Sequence, residues 1–332
     1  MEALLSVKNL SIGIRRRVSS GKEKLLSSVE DIGFDIYPGE ILGIVGESGS
    51  GKSLSALSIP GLLGEGKEVT GGSILFKGDG PARELLSLPE KELEAIRGKE
   101  ISMVFQEPFS SLNPLLKVGA QIAETLELHG EKDKALVKLR VMELMGRLRL
   151  PDPERLMENY PHRLSGGMCQ RVMIALAIIC RPRLLIADEP TTALDHSTQR
   201  QIIALLREIN RDFGTAILFI SHDLSQIKEL CGRVMVMYSG RILEEGGTEE
   251  VFFHPAHEYT KGLLGSIPGR ARRGEDLASI PGRIPSLEEG RPRGCPFHPR
   301  CLKAEPRCKG DFPPGRAVGA DHISHCVLEA GG

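Results

Sequence analysis

Residues Gly46-Glu47-Ser48-Gly49-Ser50-Gly51-Lys52-Ser53, with Leu54 behind them, carry the full pattern G-x-x-x-x-G-K-[ST]. The apolar run EILGIVG enters this loop and SLSALSIPGLL, with the composition of a helix start, leaves it. Such a loop works only between a buried strand and a helix N-terminus. Its glycines let the backbone wrap closely round phosphate oxygens and aim N–H groups at them, and the helix end adds positive potential. In that setting Lys52 is expected to reach the β- and γ-phosphates of a nucleoside triphosphate, and the Ser53 hydroxyl to ligate Mg²⁺. A chance Gly/Ser loop would lack this strand-and-helix frame. Taken alone, the motif specifies a nucleotide and not a family.

The rest of the chain agrees with an α/β fold. SVKNLSIGI and IGFDI read as strands, as do GSILFKG and ISMVFQ. From about residue 107 to 181 the spacing changes: AQIAETLELHG and ALVKLRVMELMGRL place apolar residues three and four apart, so this insert is helical. RLLIADEP and AILFISHD are then buried strands around the amphipathic STQRQIIALLREINRDFG, and RVMVMYSGRILEEG reads as a hairpin with a Ser-Gly turn. Buried strands alternating with helices predict a parallel sheet. Residues 1–264 are expected to form one nucleotide-binding domain. Residues 265–332, rich in Pro, Gly and Arg before a group of cysteines, read as a linker and a small metal-stapled appendage.

The strand Leu184–Ala187 delivers Asp188 and Glu189 to a sheet edge. Asp188 there can hold the water shell of Mg²⁺ and Glu189 can polarise an attacking water as general base. Acidic pairs after strands also serve as helix caps. Pro190 and the upstream phosphate loop favour the catalytic reading.

Leu164-Ser165-Gly166-Gly167-Met168, with Gln170 and Arg171, separates this chain from most enzymes that share those two elements. It resembles the signature sequence of ABC-transporter ATPases, a family with a RecA-like phosphate-loop core and a helical subdomain. The resemblance carries further landmarks with it. Gln106 in MVFQEP matches the glutamine that contacts Mg²⁺ and the attacking water, Thr192-Ala193-Leu194-Asp195 matches the D-loop, and His222 in ISHD matches the switch histidine on the γ-phosphate. In the family, Ser165 and the N–H groups of Gly166 and Gly167 would bind ATP held by an opposing subunit, so hydrolysis needs two nucleotide domains face to face. The family usually ends its first strand near an aromatic residue that stacks on adenine. Here the segment is SIGIRRRVSS, which leaves Ile14 or an arginine to cover the base.

FQEPFSSLNPLLKVGAQIAE, YPHRLSGGM, HPAHEYTKGLL and the later IPGRIPSL and GCPFHPRC stretches are similar to the ATPases of peptide importers, the oligopeptide, dipeptide and related nickel systems. That likeness implies a second ATPase subunit, by subfamily resemblance a related chain, together with two membrane permeases and an extracytoplasmic binding protein. It implies a peripheral position on the cytoplasmic face of the membrane. The segment after Gln106 would meet the coupling helices of the permeases. Nickel, metal-chelate or oligosaccharide import remains an alternative, as does a soluble ABC ATPase, although those usually carry two nucleotide domains or long coiled coils. An exporter fits the insert and the tail less well.

Cys295-x5-Cys301-x6-Cys308-x17-Cys326 supplies four thiolates, enough for a closed site. Some peptide-importer ATPases of this type hold a [4Fe–4S] cluster there. The spacing lacks the C-x2-C knuckles of structural zinc, but His298, His322 and His325 keep a mixed zinc site open, and four unliganded thiols are the bland alternative. Cys169, Cys180 and Cys231 read as small buried hydrophobes. The formal net charge of -1 gives no sign of nucleic-acid binding. The apolar stretch Val172–Cys180 is too short to cross a bilayer, and the first residues lack the pattern of a secretory signal.

Overall fold

Strands with no polar face must be covered on both sides, and the middle of the molecule is built on that demand. The computed structural model describes residues 2–17, 23–192, 194–267 and 279–328. Ala193 of the D-loop segment, Val18 to Ser20 of SIGIRRRVSS and most of the stretch read as a linker lie outside them.

Strands β1 (Leu5–Arg17) and β2 (Glu23–Ile36) come first, and β3 (Ile41–Val45) leads through the phosphate loop into α1 (Lys52–Ser58). Next come β4 (Lys67–Phe76), β5 (Arg83–Glu84), α2 (Glu90–Ile96) and β6 (Ile101–Val104). The helical insert holds α3 (Pro108–Ser111), α4 (Val118–Leu128), α5 (Lys134–Arg147), α6 (Pro153–Met157) and α7 (Gly166–Ile178). The chain then runs through β7 (Leu184–Asp188), α8 (His196–Phe213), β8 (Ala216–Ser221) and α9 (Leu224–Leu230). Strands β9 (Arg233–Tyr238) and β10 (Arg241–Gly247) follow, then α10 (Thr248–Phe253) and α11 (Glu258–Gly265). Short strands β11 (Arg316–Gly319) and β12 (His322–Ser324) come last.

The central sheet has the order β11-β12-β10-β9-β3-β8-β7-β6, with β9, β3, β8, β7 and β6 parallel. Side chains alternate across it, as the strand period of two requires. Leu42, Ile44, Leu184, Ile186, Leu218 and Ile220 pack towards a second, antiparallel sheet of order β2-β1-β4-β5. Leu185, Ala187, Ile217 and Phe219 pack on the opposite side with helices α4 to α9. Helix α8 shows why its sequence fits that place. Ile202, Ile203, Leu205, Leu206 and Ile209 form its buried stripe, Asp195 caps its first turn through the N–H groups of Ser197 and Thr198, and Gly214 ends it with φ 67°.

Two features depart from the sequence reading. The sheet is parallel only in part, because β10, the second strand of the expected hairpin, runs antiparallel to β9. Ser239 (φ 46°) and Gly240 (φ 78°) are both left-handed, the turn geometry that matches strand twist. The cysteine-bearing tail, expected as a separate appendage, instead continues that sheet. Strand β12 pairs with β10 (Glu244↔Ser324, Glu245↔Ile323) and β11 pairs with β12. Short polar strands such as HIS carry almost no periodic signal, and only the open edge of β10 makes them strands.

A buried carboxylate fastens this junction. Glu244, with 0% of its surface exposed, accepts hydrogen bonds from the N–H groups of Ala256 (2.7 Å) and His257 (2.9 Å) and pairs with His322 Nε2 at 2.7 Å. Removing it would strand three polar groups in the interior. Glu244→Ala is therefore expected to cost about 3 kcal/mol in equilibrium urea unfolding. A loss below about 1 kcal/mol, the size of an ordinary exposed polar change, would show that the junction does not depend on it.

Candidate functional site

The carboxyl ends of β3, β8 and β7 lie side by side, since Val45 pairs with Ser221 and Asp188 with Ile220. The phosphate loop, the Asp188-Glu189 pair and Ser221-His222 thus emerge at one edge, where ligands of open α/β sheets bind. Gly46 is obligatory there: a Cβ would stand 2.0 Å from the carbonyl oxygen of Met237. Gly49 and Gly51 adopt φ 81° and 101°, which side-chain-bearing residues rarely take.

Lys52 is buried, and its ammonium donates to the carbonyl oxygens of Gly46 (2.8 Å) and Glu47 (3.0 Å). Burial lowers its pKa, while Glu189, Asp188 and Glu47 oppose that shift. The Ser53 hydroxyl donates to Asp188 Oδ1 at 3.0 Å. Burial raises the Asp188 carboxyl above the usual range, and the Ser53 hydrogen bond works against that. A hydroxyl beside a carboxylate is a set of hard oxygen donors, which fits Mg²⁺.

Glu189 is where the landmarks meet. Its Oε2 accepts from Gln106 Nε2 at 3.3 Å and from Thr192 Oγ1 at 3.0 Å, and lies 3.0 Å from His222 Nδ1. Its backbone has φ 47°, a left-handed value that costs a non-glycine residue about 1–3 kcal/mol. The hydrogen bond from its N–H to the Ile220 carbonyl (3.0 Å) helps to hold that turn. Two distant segments, at Gln106 and at Ile220 to His222, are thereby drawn to one carboxylate beside its own neighbour Thr192.

A cavity of about 460 Å³ opens over this edge, lined by Ser48, Gly49, Gly51, Lys52, Ser53, Leu54, Gln106 and Glu189 among others. Ser165, Gly166 and Gly167 do not line it. They form the start of α7, where the Ser165 hydroxyl accepts from the Met168 N–H at 3.3 Å and Gly167 packs against Thr198. Ser165 is exposed.

The tail contributes contacts that spacing alone does not reveal. Arg300 donates to Glu47 Oε2 at 2.8 Å and to the Tyr238 hydroxyl at 3.3 Å, and the Glu47 N–H donates to the Tyr259 hydroxyl at 3.0 Å. Phe297 packs against both tyrosine rings, with centroids 5.4 and 5.2 Å away. The phosphate loop is thus braced from behind by residues more than 200 positions further along the chain. The tail segment around Ile284 and Arg291 also lines the cavity.

Cys295, Cys301, Cys308 and Cys326 are free thiols. Cys295 is pushed up to about 12 by burial, and Cys326, Cys308 and Cys301 add to that by repulsion, so the four are electrostatic neighbours. The Cys295 N–H donates to the Cys308 carbonyl at 3.0 Å, a closeness only Gly294 permits, since a Cβ there would meet the same oxygen at 2.3 Å. His322 pairs with Glu244, and His298 and His325 hydrogen-bond to backbone carbonyls. Among the described residues no group of three or more His, Cys, Asp or Glu side chains is placed to hold a single metal ion.

Comparison with known proteins gives concordant relatives. Residues 29–192 match the family described as ABC transporter, and residues 243–308 match the C-terminal region of oligopeptide/dipeptide transporters. The chain is 47% identical over 309 residues to the oligopeptide transport ATP-binding protein OppD of Haemophilus influenzae, covering 93% of this chain and 92% of that one. It is 42% identical to the dipeptide transport ATP-binding protein DppD of Bacillus subtilis, covering 99% and 96%. Among solved structures, a dimeric ATP-binding cassette bound to ADP and Pi in a post-hydrolysis state superposes with TM-score 0.63 at 28% identity, covering 74% of this chain and 98% of that one. The cbiO1 protein of Clostridium perfringens gives TM-score 0.61 at 27% identity, covering 76% and 92%.

If Lys52 is the phosphate-binding cation of the cavity, Lys52→Ala should weaken equilibrium binding of Mg-ATP about tenfold or more, the loss of a charge-assisted contact. Affinity within twofold of the unsubstituted chain would remove Lys52 from the site.

Proposed function

The chain belongs to the ATP-binding subunits of ABC transporters, and we propose that it powers the import of di- and oligopeptides by hydrolysing ATP between itself and a second such subunit. The convergence of Gln106, Thr192 and His222 on Glu189 carries this reading. The loop N–H groups and Lys52 hold the phosphates. Ser53 and Gln106 would hold the Mg²⁺, with Asp188 accepting from its water shell. Bound Mg²⁺ supplies charge neutralisation on the phosphate oxygens. Glu189 accepts the proton of the attacking water, and His222 both orients that carboxylate and reaches the γ-phosphate. Gln106, bonded to the same carboxylate oxygen, helps to position the water.

Ser165, Gly166 and Gly167 serve the partner's nucleotide, which accords with their place outside this chain's own cavity. Each chain then holds halves of two sites, and ATP draws the two together. The second subunit is a related chain or a copy of this one. Peptide is the favoured cargo because the relatives matching nearly the whole chain, tail included, are named for oligopeptide and dipeptide transport. Nickel, metal-chelate or oligosaccharide cargo is the alternative.

The membrane partners dock beside Gln106. Phe109 and Leu115 are 56% and 82% exposed there, an apolar surface suited to the coupling helices of two permeases. On this reading the subunit sits at the cytoplasmic face of the membrane, with an extracytoplasmic binding protein delivering cargo on the other side. The described residues contain no helix long and apolar enough to cross a membrane.

The tail cysteines hold a [4Fe–4S] cluster, with zinc as the alternative. Burial raises the Cys295 and Cys301 thiols, and soft thiolate donors of this kind suit iron or zinc. A mononuclear zinc site needs sulfur atoms within about 4 Å of one another, given Zn–S near 2.3 Å. The four cysteines are spread as x5, x6 and x17 without C-x2-C knuckles, and that spacing is what favours the cluster over zinc. Its part is structural, fastening the segment that carries Arg300.

Glu189→Gln is expected to keep ATP binding and to lower turnover about a hundredfold or more, read by phosphate release. Near-normal turnover would refute the assigned base. Iron, sulfide and zinc analysis after anaerobic purification should find iron with matching sulfide. A colourless protein with stoichiometric zinc would reject the cluster.

A further inference from the structure

The first strand offers no aromatic platform for a base, yet the cavity is walled there. Its lining divides by chemistry. The phosphate loop, Gln106 and Glu189 supply one part; Ile14 of β1, Ser27 and Ser28 of β2, and the tail residues Ile284 to Leu287 supply much of the rest. A nucleoside triphosphate divides the same way, into a polyanion and a flat, largely apolar base on a hydroxylated sugar. With the phosphates on the loop, the nucleoside has the aliphatic and serine-bearing wall to lie against.

That wall is built in advance. The Ser286 N–H donates to Glu289 Oε2 at 2.7 Å, the Glu289 N–H returns to Ser286 Oγ at 3.3 Å, and the Gly290 N–H closes the turn on the Ser286 carbonyl at 3.2 Å. Gly290 takes φ 77° to do so. Arg291 then ties the turn to the body. It donates to the Ser239 carbonyl at 2.5 Å and the Ser28 carbonyl at 3.4 Å, and pairs with the Glu30 carboxylate. Arg300 holds the other end through the Pro281 carbonyl at 2.7 Å. Ile284 packs against the main core. A loop latched within itself and anchored at both ends loses little freedom when a ligand arrives.

We infer that Ile284, Pro285 and Leu287, facing Ile14, form the nucleoside-binding wall of the ATP site, so that the C-terminal segment takes the place of a strand-end aromatic. This rests on the ATPase reading of the same cavity. The burial is aliphatic, so it grips the base by contact area and leaves the sugar hydroxyls to Ser27, Ser28 and Ser286.

The test compares Mg-ATP with inorganic tripolyphosphate, which has the anion and lacks the nucleoside, by equilibrium binding to the full chain. Ile284→Ser combined with Leu287→Ser, and separately Ile14→Ser, should each weaken ATP about tenfold and leave tripolyphosphate within twofold. Unchanged ATP affinity in both variants would overturn the wall. So would equal losses for the two ligands, because the tail would then act only through the phosphate loop or the fold. An unsubstituted chain that bound neither ligand would sink the ATPase reading and the wall with it.

Discussion

The register of β3, β8 and β7 is the constraint on which the site depends. Pairing Val45 with Ser221 and Asp188 with Ile220 sets three strand ends level, and each end carries a different reacting group into the same edge. A one-residue slip would turn Leu184 and Ile186 from one core to the other as well as displacing Asp188. The apolar alternation that fills the two cores therefore also fixes the positions of the charged groups at their rim. The strained turn at Glu189 persists because the strands on both sides are buried and fully paired.

A second layer of support comes from the tail. Glu244 and His322 bind β12 to the body, Phe297 seats against Tyr238 and Tyr259, and Arg300 reaches the phosphate loop at Glu47. The order runs from sheet edge to aromatic cluster to loop, with each contact buried or nearly so. Cys301 follows Arg300 directly, so the packing of the cysteine-bearing segment sets the place of the arginine that braces Glu47.

Much of the site was legible in the sequence because its motifs are local. The phosphate loop needs a glycine at Gly46 for close approach and at Gly51 for backbone angle, and both reasons can be read from spacing and flanking strands. The helical insert declared itself by period, as α4 and α5 show. The first strand's lack of an aromatic pointed to Ile14, which does line the cavity. What stayed hidden is non-local. Nothing near Arg300 signals a partner at Glu47, and Ile284 to Leu287 lack any period that would mark them as a cavity wall. The polar strands β11 and β12 acquire their conformation from the edge of β10, where Glu244 pairs with Ser324 and Glu245 with Ile323. Reading the tail as a separate unit failed because composition reports poor autonomous packing and says nothing about which surface will accept the segment.

The brace between Arg300 and Glu47 also bears on how the protein is made. Domains fold largely in the order in which the ribosome releases them. The phosphate loop leaves early, but its back-support and part of its cavity lining come from residues beyond 280. During synthesis the chain therefore carries an unbraced loop until the segment around Arg300 is made. Its nucleotide pocket acquires its finished shape only once residues beyond 280 have emerged, which ties the ability to bind fuel to the arrival of that segment.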